Sequence, residues 1–537
     1  MKFNKKLSVA VSGAVLLMAG QFALAESTTD IVDALVSKGV LTEEEGKLIS
    51  KGHTSQKDKT PTVKEKDGAF VLSSPNGKNS VQLTGRLHFD TRVSDRDEYL
   101  APNVDSAYSD RDSGSFADHY AIRRARIGVK GRLGGVADYE AQMNLVGSST
   151  IDVAYIDINK YEPFGVRFGK FKVPYNLEEQ TSSNNIDFVE RSYINQNAPS
   201  KKMGVMAHGE FVGMTYAADL FQMNDDALSA NDSNFSSAGR ATVNFAEIMG
   251  NKDMILHAGL AGFNARYQIA AATSNNQSDN ASGDTRGTVF GFRSAGGGMN
   301  LARGQVGSVG LTTSYYGTSN PNSADVKSSA LGLEGIAAYN NFKLQGEYSK
   351  ADYESHLTGA QGAYNGHLKA DVDTWYAEAL WLVTGEKYSD AYKKGAFGAI
   401  KPKNEFNLDS GSGLGAIELG FRVDAFDISN GTFTGKSRIQ GPLASYSTDL
   451  TECATSGSCD SGAKTYTLGA KWVWNPNMLF KISYAYTKFD DAYYPIDILG
   501  KSSTALQQTS SSNARSTTTM PAIDSEQMLM IRGQYMF

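Results

Sequence analysis

From Gly68 to Phe537, apolar and polar residues alternate in short runs separated by clusters of Gly, Ser, Asn and Asp. The last run is the clearest: Leu529, Ile531, Gly533, Tyr535 and Phe537 share one face, and Met528, Met530, Arg532, Gln534 and Met536 the other. A period of two belongs to β-strands, whose successive side chains point to opposite faces of the sheet. After a tight turn at Pro75-Asn76-Gly77, the same pattern sets Val81, Leu83, Leu87, Phe89 and Val93 against Gln82, Thr84, Arg86, His88, Asp90 and Arg92. It sets Ala125, Ile127, Val129 and Leu133 against Arg124, Arg126, Lys130 and Arg132, which puts Arg123 on the outward, apolar face. It returns where Ile417, Leu419, Phe421 and Val423 alternate with Glu418, Arg422 and Asp424, and where Tyr466, Leu468, Ala470, Trp472 and Trp474 alternate with Thr467, Gly469 and Lys471.

A soluble sandwich alternates too, with its greasy face turned inward. Three features select a membrane instead. Met1 to Ala25 carries Lys2, Lys5 and Lys6, an apolar run, and Ala23-Leu24-Ala25, which reads as a signal peptide cut between Ala25 and Glu26. The strand ends are rich in aromatics, and the last strand finishes on Phe537. Hydrocarbon offers no water to backbone amides, so only helices and closed barrels cross it. After Ala25 no stretch approaches the roughly 20 apolar residues a spanning helix needs.

Strand-length segments between Val81 and Phe537 number about sixteen. Short links such as Asn475-Pro476-Asn477 alternate with long polar ones, Ser274 to Gly298 and Asn430 to Lys464, as periplasmic turns alternate with external loops. The expected fold is all-β: a transmembrane antiparallel barrel of about sixteen strands around an aqueous channel, with a short N-terminal helical periplasmic extension. The chain divides into a signal peptide (1–25), a helical and linker segment (26–66) and the barrel (67–537). In the second, Asp30 to Lys38 and Leu41 to Ser50 read as short helices, the latter with a capping box between Thr42 and Glu45. Their narrow apolar stripe leaves two readings open, a surface that pairs with another subunit or a periplasmic partner, and a loosely ordered extension.

Composition agrees with a barrel: 54 Gly, 26 Tyr and 25 Phe. Without the three leader lysines, 49 basic residues face 58 acidic ones, a net charge of −9, which excludes a nucleic-acid binder and makes any attraction for anions local. Cys453 and Cys459, in a Gly/Ser/Asp-rich stretch, suit a small-loop disulfide in an oxidising compartment. Two cysteines and seven scattered histidines build no closed metal site, and no cofactor is expected. Neither Gly-x-Ser-x-Gly, His-Glu-x-x-His nor a phosphate loop occurs, and His88 and His208 read as lumen or wall residues, so an enzyme is not expected.

The stretch Tyr120-Ala-Ile-Arg-Arg-Ala-Arg-Ile-Gly-Val-Lys-Gly-Arg132 resembles the signature strand of the phosphate-selective porins O and P. The likeness continues through Val166 to Lys172, Asn176 to Ser183, Phe188 to Ser192, Trp375 to Glu386, Ile400 to Lys403, Ala416 to Asp424 and Thr467 to Trp474. The resemblance implies a sixteen-stranded trimeric porin of the Gram-negative outer membrane, whose third external loop folds inward past a ladder of arginines and lysines. Arg86, Arg123, Arg124 and Arg191 match ladder positions, and Asp152 an acidic position near the constriction. Arg92, Arg126, Lys130 and Arg132 could extend the row. Where the resemblance implies lysines in the constriction segment of phosphate-specific members, this chain follows Leu177-Glu178 with Glu179 and Ser183 with Asn184, and of an arginine-dense loop it keeps only Arg286 and Arg293.

Arginine suits phosphate because its planar fork matches two oxygens and keeps its charge. A row of moderate sites passes ions better than one deep site. Inward arginines also pair with Asp90, Asp138, Glu140, Glu178 or Glu179 merely to brace a wall, and that alternative stays open. The expected function is passive uptake of small inorganic anions, phosphate or polyphosphate. A general-diffusion pore and a structural or adhesive barrel are the alternatives. The expected partners are outer-membrane lipid and lipopolysaccharide, the barrel-assembly machinery through the C-terminal strand ending at Tyr535 and Phe537, and two further copies of the chain.

Overall fold

The computed structural model describes residues 60–66, 68–95, 118–147, 150–223, 234–270, 284–297, 300–309, 323–358, 366–434, 437–440, 461–493 and 523–537, with short pieces between 35 and 47. The signal-peptide junction at Ala25 and Glu26 and the cysteines Cys453 and Cys459 lie outside the described residues.

The chain forms two compact units, the first made of 1–84 and 129–139. There the Glu45 carboxylate accepts from the Thr42 N–H at 2.9 Å while the Thr42 hydroxyl accepts from the Glu45 N–H at 3.2 Å, a reciprocal capping box. The stretch read as a charged linker contains a strand, Thr62–Lys66, paired with Ala69–Ser73. Its charges hid it, because a Lys/Glu-rich segment scores poorly as a strand although such residues suit a sheet edge. Ala69–Ser73 pairs in turn with Ser80 to Gln82 through the expected turn, where Gly77 takes φ +66° and donates to the Ser74 carbonyl.

The second unit comprises 85–128 and 140–537. Among the described residues sixteen long strands make the barrel: Ser80–Ser94, His119–Leu133, Ala137–Asn144, Thr150–Tyr161, Phe164–Lys172, Lys201–Phe211, Met214–Gln222, Ser236–Asn244, Met254–Ala270, Ser323–Tyr339, Phe342–Thr358, Gly366–Leu382, Ala416–Thr434, Ser461–Asn475, Met478–Tyr493 and Ile523–Met536. Neighbours pair antiparallel, and the ladder closes where Ile523–Met536 meets the first strand from Met528↔Ser94 to Met536↔Arg86. Closure removes every edge, which is what hydrocarbon demands of a sheet. Gly85 and Phe537 exchange backbone hydrogen bonds, and a Cβ on Gly85 would fall 2.2 Å from the Phe537 ring. The glycine makes room for the aromatic that seals the seam.

The alternation runs as expected. Leu87, Phe89, Ile531, Tyr535, Tyr466, Leu468 and Phe421 are exposed on the outside, while His88, Asp90, Arg532, Gln534, Thr467, Lys471 and Arg422 are buried inside. Trp472, Trp474, Phe480 and Phe406 gather beside the short turn at Asn475 to Asn477, as an interfacial girdle would.

Two features differ from the expectation. The long stretches 274–298 and 430–464 contain strands: Asp284–Arg293 pairs with Asn300–Val309, which pairs with Ser437–Gln440. The inner wall is also not uniformly polar. Along Ala416–Thr434 the inward series passes from Glu418, Arg422 and Asp424 to Phe426 and Ile428, where Phe290, Phe292 and Leu301 of the extra sheet pack. Phe292 stacks on Phe426 with centroids 4.2 Å apart. Apolar side chains on the inside are therefore consumed by a folded-in hairpin.

Candidate functional site

Phe164–Lys172 ends where Pro174 can no longer donate to a ladder, after a last bond from the Val173 N–H to the Ser200 carbonyl. The intervening loop turns into the barrel. A short helix, Leu177–Gln180, is capped by Asn176, whose side chain accepts from the Glu179 N–H at 2.7 Å. Its first N–H groups, on Leu177 and Glu178, both donate to the Glu347 carboxylate at 2.8 Å. At its other end the Lys172 ammonium donates to the carbonyls of Glu179, Gln180 and Thr181. Both ends of the helix thus have partners for backbone groups that the helix itself leaves unpaired.

Further along, Asp187 accepts from Lys343 at 2.8 Å and from Lys471 at 2.9 Å. Phe188 lies under the Arg422 guanidinium at 4.8 Å and occupies a seat cleared by Gly420 and Gly469, where a Cβ would stand 3.0 and 2.7 Å from its ring. Arg532, wholly buried, donates to Asp90, to Glu190 and to the Val189 carbonyl. Arg422 binds Glu178 and Asp424, and Glu178 also accepts from Ser192 and Asn195. Burial alone would raise the carboxyls of Asp187 and Glu190. Lys343 and Lys471 outweigh it at the first, and Arg123, Arg532, Arg92 and Arg124 at the second, so both are held well below the usual carboxylate range.

The sequence-derived residues divide into groups. Arg92 and Arg123 reach Glu190 at 2.8 and 3.0 Å. Arg126 and Lys201 share Asp152, the first at 2.9 Å. Arg191 binds Glu179 at 3.0 Å and two loop carbonyls. Arg132 pairs with Asp138 at the turn that follows its own strand, and Lys130 is exposed. Arg86 reaches only neutral groups, the Ser183 hydroxyl at 3.0 Å and the Gln142 amide at 3.4 Å. Arg124 meets no carboxylate among the described residues, and its buried Nη1 has no hydrogen-bond partner there. His88 meets Asn184 at 3.1 Å, and His208 meets Asp157 at 2.7 Å.

One expectation needs correction. Arg123 does not face outward: the exposed side chains change from Tyr120 and Ile122 to Ile127, Val129 and Leu133, so the parity of the strand flips between them. An extra residue in the pleat, as in a β-bulge, turns Arg123 and Arg124 the same way. Glu178 and Glu179 are both more than nine-tenths buried; each accepts from a loop serine and each pairs with an arginine, Arg422 and Arg191 respectively. The residues missed were the anchors, Glu347, Asp187, Lys343, Lys471 and Lys481, the last of which donates to the Ile186 carbonyl. The only signal of the four wall residues was membership of a polar face, and Asp187, in the loop, carried not even that.

A family model described as phosphate-selective porin O and P matches residues 100–494, well over half of the chain. The chain belongs to that family. It is 25% identical over 445 residues to Porin O of Pseudomonas aeruginosa, covering 79% of this chain and 87% of the relative. Among solved structures it is similar to OmpT, an outer-membrane protein of Vibrio cholerae (10% identity, 86% of this chain and 98% of that one, TM-score 0.44), and to an anion-selective porin from Comamonas acidovorans (13%, 86% and 100%, TM-score 0.42). The protein is thus an outer-membrane porin, a channel former, whose described loop 173–200 lies inside the barrel.

Proposed function

We propose that this porin passes small inorganic anions, phosphate among them, along the inner wall made by Ser80–Ser94, His119–Leu133 and Lys201–Phe211. The observation that carries this reading is the pair Arg86 and Arg124, inward guanidinium groups with no carboxylate partner among the described residues. Beside Arg86, the cations Arg126, Arg191, Lys172 and Lys201 act on a region holding the carboxylates Glu140, Asp152 and Glu179. The excess is positive, and low-dielectric walls focus it into the lumen. A unit charge about 5 Å from a permeating ion contributes between about 1 and 3 kcal/mol as the effective permittivity falls from water's to about 20.

The porin is read as a homotrimer in lipid and lipopolysaccharide, delivered after cleavage between Ala25 and Glu26 and inserted by the barrel-assembly machinery through its last strand. The exposed apolar belt and the Phe537 seam support insertion. Planar-bilayer reversal potentials in a KCl gradient test the pathway. Anion preference is expected, and Arg86→Gln with Arg124→Gln should reduce the permeability ratio several-fold and weaken block by added phosphate. Cation preference in the unmodified porin, or an unchanged ratio in the double variant, would overturn the proposal.

A further inference from the structure

Seven histidines scattered through the sequence gave no sign of a metal site, but the antiparallel register brings two of them together. On Phe342–Thr358 and Gly366–Leu382, His356 stands directly opposite His367. Their rings stack with centroids 4.2 Å apart and an interplanar angle of 28°. Glu354, two residues before His356, falls on the same outward face, because side chains two apart on a strand share a side.

Glu354 Oε1 lies 3.4 Å from His356 Nε2 and 3.6 Å from His367 Nε2. Both separations are long for a hydrogen bond. They match something else. Donors bound to one zinc ion at about 2.0 to 2.1 Å in a tetrahedron stand about 3.3 Å apart. All three donor atoms fall within 4.8 Å of one another, so a small rotation of one imidazole completes three corners.

We propose that Glu354, His356 and His367 bind a transition-metal dication of the Zn2+ class on the outer face of the barrel. Two imidazoles and one carboxylate form a borderline donor set that favours such ions over Ca2+ or Mg2+, which prefer oxygen alone. The fourth corner points to solvent, since all three side chains are partly exposed. The cluster lies beyond the apolar belt: on this strand the outward residues run Phe342, Leu344 and Tyr348, then Lys350, Asp352, Glu354 and His356. Metal ions can therefore reach it from water. The neighbours set the strength. Glu354 stands in register between Lys327 and Lys369, which oppose a cation, while Asp325 stands opposite His356 on its other flank and favours one.

The test uses the full porin in detergent, titrated with Zn2+ against a chromophoric chelator. One Zn2+ per chain is expected beyond what a His356→Ala/His367→Ala variant binds, with weaker binding in Glu354→Gln. Equal uptake by the unmodified porin and the double variant would overturn the site. A second measurement needs no variant: Co2+ added to the unmodified porin should give the intense visible bands of four-coordinate cobalt. A spectrum of six-coordinate aqueous cobalt would equally overturn it.

Discussion

The loop in the barrel touches two arcs of inner wall, and these differ in how completely their cations are paired. On the arc of Phe342–Thr358, Ala416–Thr434 and Ser461–Asn475, each of Lys343, Arg422 and Lys471 has a carboxylate partner, and each is buried. On the arc of Ser80–Ser94 and His119–Leu133, Arg92 and Arg123 are paired with Glu190, but Arg86 and Arg124 meet no carboxylate among the described residues. The number of inward arginines does not distinguish an ion path from a scaffold. What distinguishes them is whether the charge is already answered by the protein.

The sharpest way to break that contrast is Asp187→Ala. It leaves the Lys343 ammonium buried 4.0 Å from the Phe397 ring without its carboxylate, and Lys471 with Glu418 alone. Removing one partner of a buried pair costs about 3 to 5 kcal/mol, so a large drop in the urea midpoint and a noisier, larger conductance are expected. Gly469→Val attacks the same anchor through shape. Its side chain meets the Phe188 ring, and overpacking of about 1 to 3 kcal/mol should loosen the loop without touching a charge. If Gly469→Val raised conductance while Asp187→Ala did not, the charged anchors would not be what holds the loop.

Acid sharpens the comparison further. The folded-state carboxyls of Asp187 and Glu190 are depressed, so their stabilisation is complete above the unfolded values of about 4 and disappears only as pH falls through the lower folded ones. Single-channel conductance should stay steady down to about pH 4 and become noisy only in stronger acid. Opening between pH 5 and 6 would contradict this. The smallest effect belongs to Arg132→Gln. Its pair with Asp138 is about two-fifths exposed on both sides, so less than about 1 kcal/mol of stability and no change in ion selectivity are expected.

Much of the barrel was legible because a lipid-facing wall forces a strict period of two. Leu529 to Phe537 could be assigned to faces residue by residue. Arg123 could not, since a single change of parity in a strand leaves no compositional mark. Thr62–Lys66 and the hairpin at 284–309 were hidden by charge and by glycine. The resemblance to a porin family pointed to the loop, but its anchors were beyond reach. Asp187 meets Lys343 and Lys471 across 156 and 284 residues, and nothing local joins them. Local periodicity says which side a residue faces. It does not say which residue it faces.

The turn around Ser183 and Asn184 is fastened differently from the rest of the loop: Ser183 meets Arg86, while Asn184 meets His88 and Gln534 through its amide and its carbonyl. The heavy fastenings lie on either side, at Glu347 and at Asp187. An engineer wishing to recast this porin as a molecular sensor could therefore rewrite two residues at the tip and leave the anchors of the loop in place.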